Sequence, residues 1–124
     1  MAKGEYKIAR QVGQRGFFGD VSLDADATEN EGEITVLFDE EHANRWRGGA
    51  RFGIDYILEH IPKRTYFPRG IKIQVNRIVG HEVDTDSALI AFVTAHALLQ
   101  ALNVEHPKKL PNLDENRGEV VFPK

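Results

Sequence analysis

The residues best suited to chemistry fall in two short stretches. One is Gly13-Gln14-Arg15-Gly16-Phe17-Phe18-Gly19 and the other is Gly80-His81-Glu82-Val83-Asp84-Thr85-Asp86-Ser87. In the first, glycines let the backbone turn back on itself. Arg15 can bridge phosphates, and an aromatic ring on such a turn can stack on an unpaired base. Of the two rings, Phe17 is assigned to the exposed tip and Phe18 to the core. In the second stretch, His81 can donate to a phosphate or a ribose, most strongly when protonated. Asp84 or Asp86 is expected to cap the helix that follows. Glu82, Asp84 and Asp86 resemble part of a hard-cation donor set. The sharp glycine turn and the distal bidentate glutamate of such a loop are absent, so no metal site is expected.

No nucleophile, base and orienting group stand in a recognisable arrangement, and no Gly-x-Ser-x-Gly turn occurs. Hence no catalytic residue and no cofactor is expected. The phosphate loop of GTPases is missing too. The remaining histidines, His42, His60, His96 and His106, are scattered, and His96 reads as a core residue.

The elements that must position these stretches are legible in the hydrophobic pattern. Residues 5–12 alternate, with Tyr6, Ile8 and Val12 on one side. Val21, Leu23, Ala25 and Ala27 alternate with Asp20, Ser22, Asp24 and Asp26. Ile34, Val36 and Phe38 give a third strand after the turn Asn30-Glu31-Gly32. These three read as an antiparallel meander. Asp39, Glu40 and Glu41 place negative charge before a helical pattern. In that pattern Trp46, Ala50, Gly53, Ile54, Ile57, Leu58 and Ile61 share a face, with Gly53 allowing close approach to the sheet. Arg51 and Asp55 can pair on the opposite face, and Pro62 ends the helix. After a loop over residues 63–70, Ile71, Ile73 and Val75 mark a fourth strand. Residues 88–102 are apolar almost all round, the mark of a helix buried in the core. They are too few and too interrupted to span a membrane. The order β-β-β-α-β-α predicts an α+β two-layer sandwich with two helices on one face of a sheet. Residues 1–104 form the domain. Residues 105–124 form a polar tail whose Val120-Val121-Phe122 can dock back or add a strand.

The chain of 124 residues has no cysteine, which excludes disulfides and thiol chemistry and fits a cytoplasmic location. Its N-terminus carries no secretion-type apolar segment. The formal net charge of −3 argues against generic nucleic-acid affinity. That mean hides a division. Residues 20–42 carry nine acidic groups and no Lys or Arg, and residues 45–77 carry eight basic groups against Asp55 and Glu59. Such blocks build either a two-faced molecule or intermingled solvated faces. In the first case Arg45, Arg47, Arg51, Lys63, Arg64 and Arg69 are candidate phosphate contacts.

The first stretch, from Arg10 through Val21, resembles the glycine-rich hairpin of domain IV of elongation factor G. The second stretch, with Ala91-Phe92 in its helix, resembles that domain's second tip loop, and Gly53-Ile54 resembles a pair in its first helix. The resemblance covers residues 6–102. It implies the ribosomal protein S5 domain 2-like fold, including a left-handed β-α-β crossover where the general rule favours the right-handed one. It also implies that both loops meet at one tip, which in that family touches RNA in the ribosomal decoding region. The implied tip here is Gln14, Arg15, Gly16, Phe17, His81 and Glu82. This chain departs from the family in a loop longer by about two residues after the histidine, judged by single-sequence matching. It also has Asp20 where the family carries a histidine. The expected role is a non-catalytic, translation-related module binding ribosomal RNA or the ribosome. The alternatives are a protein-interaction module, self-associating through the tail, and a small enzyme using His81 and Glu82. No membrane partner is expected.

Overall fold

The computed structural model describes residues 2–39, 45–114 and 116–124. In chain order its elements are β1 (Ala2–Val12), β2 (Arg15–Thr28), β3 (Ile34–Phe38), α1 (Arg47–His60), α2 (Lys63–Tyr66), β4 (Gly70–Val79), α3 (Ser87–Ala101), β5 (Asn112–Asp114) and β6 (Glu119–Val121). This is a mixed α+β fold. It has a four-stranded sheet in the order β1-β2-β4-β3 and a separate β5–β6 pair.

β1 and β2 form a long hairpin closed by Gly13 and Gln14, with Val12 opposite Arg15. Gly13 has φ of 62°, a conformation that costs glycine little and other residues more. β2 then pairs antiparallel with β4, and β3 pairs parallel with β4. The three-stranded meander expected from the sequence is therefore corrected: β4 lies between β2 and β3. Alternation identifies a strand but not its neighbour. β4 contributes Ile71, Ile73, Val75 and Ile78 to the core, whereas β3 has only five residues, two of them exposed. Placing the longer apolar strand inside and the short one at the edge buries more surface and leaves less edge.

α3 is the centre of the core. Leu89, Ile90, Val93, Ala97 and Leu98 are buried, and Thr94 returns its hydroxyl to the Ile90 carbonyl at 2.7 Å. It packs on β1 and β2 on one side and on α1 on another. The α1–α3 crossing is close. A methyl group on Gly53 would lie 2.3 Å from the Ala91 carbonyl oxygen, and one on Gly49 would lie 2.4 Å from that of Ser87. The role expected of Gly53, close approach to the sheet, is thus corrected to close approach to α3. The first turn of α1 has no acidic residue. Glu40 and Glu41, expected to supply its negative start, lie outside the described residues, as does His42.

The outward face of the sheet decides between the two readings of charge. Arg77 on β4 binds Asp20 on β2 at 3.0 Å, and Asn76 binds Asp24 at 2.8 Å. Arg69 pairs with Glu29 at 3.1 Å. At these positions acidic and basic residues interleave, on or just beyond the adjacent antiparallel strands β2 and β4.

Residues 63–66, expected in a loop, form the short helix α2. The tail docks on the helices. The Tyr56 hydroxyl lies between the carbonyls of Lys109, at 2.7 Å, and Pro123. His96 Nε2 meets the Pro111 carbonyl at 3.0 Å. Phe122 packs edge-on against Phe52 and Tyr56 with ring centres 5.1 Å away. No helix among the described residues is long and apolar enough to cross a membrane.

Candidate functional site: two loops at one end of the sheet

The turn between β1 and β2 and the loop between β4 and α3 lie side by side. Three contacts join them through atoms that leave little freedom. The Phe18 amide donates to the Asp84 carbonyl at 3.0 Å. The Thr85 hydroxyl donates to the Phe18 carbonyl at 2.6 Å and accepts the His81 amide at 2.8 Å. The Phe18 and His81 rings stack at 4.0 Å with 3° between their planes. A methyl group on Gly16 would fall 2.5 Å from Asp84 Oδ1, so the side chain of Asp84 lies directly against that glycine.

The helix begins at Asp86, whose carboxylate accepts the Leu89 amide at 2.8 Å. This satisfies one of the unpaired amides of the first turn and fixes the end of the loop. Asp84, the other candidate cap, serves the loop through its backbone instead. Its amide donates to the His81 carbonyl at 3.2 Å, closing a turn with Glu82 and Val83 at the corner.

The ring assignment is reversed by the structure. Phe17 is 3 % exposed and belongs to the core, while Phe18 is half-buried and carries the His81 stack. The reason is strand parity. Val21 faces inward, so residues 19 and 17 of the same strand do too, and Phe18 faces outward with Asp20. Lys7 lies 5.7 Å from the centre of the Phe18 ring on that outward face. Arg15 turns the other way: its guanidinium lies 5.1 Å over Phe17 and 3.8 Å from Asp86. The tip thus has a His81–Phe18 side and an Arg15 side.

Of the six candidate phosphate contacts, Arg45 stands beside the second loop, 4.0 Å from Glu82 and 4.3 Å over the Trp46 ring. Arg47 lies over Phe38 at 4.8 Å, and Arg51 pairs with Asp55 at 3.0 Å. Lys63, Arg64 and Arg69 precede β4, whose far end carries the loop. They stand about 30 Å from it by the rise of a strand. These three are not brought to the tip.

Two features of the site had no place in the sequence reading. Val83 is 94 % exposed at the turn corner, among the most open apolar side chains in the molecule. The β5–β6 pair reaches the site as well: Leu113, Gly118 and Val120 line a small cavity of about 80 Å³ with Arg15, Asp84 and Asp86. Neither has a sequence motif. A single valine in a polar loop and a distant Gly118 acquire meaning only from the fold.

No family model matches the chain, and no curated protein matches it. Among solved structures, the crystal structure of ttk003000868 from Thermus thermophilus is similar, with a TM-score of 0.65 and 22 % sequence identity. The likeness covers 86 % of this chain and 16 % of that one. At this identity it shows the fold alone.

Proposed function

We propose that this chain is a non-catalytic, translation-related module that binds RNA, with ribosomal RNA as its target, through the two-loop tip. The observation that carries this reading is the juncture itself. Two stretches 67 positions apart, each resembling a tip loop of elongation factor G domain IV, are bonded through Thr85 and Phe18 at one end of the sheet. The wider assignment to the ribosomal protein S5 domain 2-like fold draws support from β3 and β4. They are parallel neighbours with α1 between them, the unit that carries the left-handed crossover in that fold. In this reading the contact surface is Gln14, Arg15, Gly16, His81 and Glu82, with Phe18 in place of Phe17 and Arg45 at the flank. The non-catalytic part rests on separation: His81 is engaged with Phe18 and Glu82 points toward Arg45, both on exposed surface. A cytoplasmic location goes with this role.

The test is co-sedimentation with purified ribosomal subunits at two salt concentrations. Binding should fall with salt, and Arg15→Ala and His81→Ala should each weaken it about tenfold, a loss of about 1.4 kcal/mol. Absence of binding at low salt refutes the reading.

A second reading, a protein-interaction module, is favoured by the β3 edge. Ile34 and Leu37 are 51 % and 42 % exposed there, and among the described residues only β4 pairs with this strand. Edges of this kind accept an added strand. The tail is less suited to that task, since β6 pairs with β5 and both Val120 and Phe122 pack on their own core.

A further inference from the structure

Between the hairpin turn and the second loop lies an open notch of about 520 Å³, lined by Val12, Gln14, Arg15, Gly16, Val83 and Asp84. We infer that this notch holds one unpaired guanine base of the bound RNA. The inference rests on the RNA-binding reading above and adds to it a site and a base preference.

The notch combines three chemistries that a base requires. Val12 comes from the hairpin and Val83 from the second loop, so an apolar group is available from each side for the faces of a flat ring. Val83 is held out from the loop by the turn that the Asp84 amide closes on the His81 carbonyl. A β-branched apolar residue at such a corner, 94 % exposed, buries almost none of its surface against the described residues. Where the two loops meet, Asp84 lies against Gly16 and offers a carboxylate, which accepts at two oxygens and cannot donate. Gln14 offers an amide that both donates and accepts, and Arg15 a cation for the adjoining phosphate.

That acceptor pair selects among bases. The Watson–Crick edge of guanine presents two adjacent donors, N1–H and the N2 amino group, beside the O6 acceptor. A carboxylate takes both donors, and the Gln14 amide can donate to O6. Adenine, cytosine and uracil each lack two adjacent donors on that edge. The Asp84 charge, which works against a phosphate in the notch, therefore works for a guanine there. The β5–β6 pair closes the neighbouring cavity on the other side of Arg15 and Asp84, so the notch is the side left open to a ligand.

The experiment is fluorescence anisotropy at low salt with labelled five-nucleotide RNAs, four uridines around a central G, A, C or U. The central G is expected to bind about tenfold or more tightly than the others, the scale of a bidentate base contact. Asp84→Asn should erase that preference, bringing the central-G oligomer to the level of the other three, and Val83→Asp should weaken all four. Asp84 holds the loop through its backbone, so Asp84→Asn should melt like the parent, which a thermal scan checks. Equal binding of the four oligomers, or a preference that survives Asp84→Asn, overturns the guanine site. If Arg15→Ala and His81→Ala still weaken subunit binding, the RNA-binding reading stands without it. Failure of both oligomers and subunits to bind overturns both.

Discussion

Thr85 is the residue on which the tip depends. Its hydroxyl both donates to the Phe18 carbonyl and accepts the His81 amide, and the residue is buried. Removing that oxygen leaves two main-chain groups without their partner. Thr85→Val keeps the shape and should cost about 1–3 kcal/mol of stability, read as a lower urea midpoint. Binding should fall beyond the loss of folded protein, because His81 loses the anchor of its amide. In the sequence Thr85 is one polar residue between Asp84 and Asp86, the two expected caps, and nothing sets it apart. Short polar side chains before a helix have many local uses, and the use chosen here involves a carbonyl 67 positions away. Phe17 and Phe18 teach the converse. Their roles were legible from the parity of Val21 and Leu23, which continues through Gly19 to place Phe17 inside and Phe18 outside.

Among the elements, α1 and α3 show how a helix can be required to contain poor helix formers. Ala normally stabilises a helix by about 1 kcal/mol over Gly. At Gly53 the added methyl would meet the Ala91 carbonyl of α3 at 2.3 Å, a main-chain atom that cannot rotate away. Overpacking of this kind costs about 1–3 kcal/mol, so it outweighs the propensity gain. Gly53→Ala should therefore lower the thermal midpoint, whereas Gly48→Ala, with open space around its Cα, should raise it. The existence of α1, α3 and β4 was legible in periodicity, since each carries its own repeated apolar pattern. The neighbour of β3 was not, because strand order is set by competition among surfaces rather than by any one strand. The β5–β6 pair escaped for a similar reason: two three-residue strands in a proline-containing segment are held by Tyr56 and His96, not by their own pattern.

At the scale of the molecule, the burial of His96 makes stability depend on pH. His96 is stacked on Tyr6 at 4.8 Å, and its Nε2 faces the Pro111 carbonyl. Burial lowers its pKa from the ordinary 6.5, while that backbone hydrogen bond opposes the shift. The unfolded chain then takes up a proton at a higher pH than the folded one. Stability contributed by neutral His96 is present above the ordinary value and declines as the pH falls below it, until the folded pKa is reached. Denaturant titrations across that window should show the midpoint falling with acidification. His96→Gln, which can still donate to Pro111, should flatten that part of the slope. Composition gave no warning of this dependence; a histidine inside an apolar run suggested burial but not the carbonyl that receives it.

The bond between Thr85 and Phe18 has one more consequence. The tip has no existence in any short excerpt of the chain, since its halves are brought together only when the strands and helix between them have closed. Whatever grips both halves acts as a clamp on that loop and is absent from the unfolded chain. Its binding free energy is therefore added to the cohesion of the whole fold. Recognition at this end and the integrity of α3 beneath it become a single equilibrium.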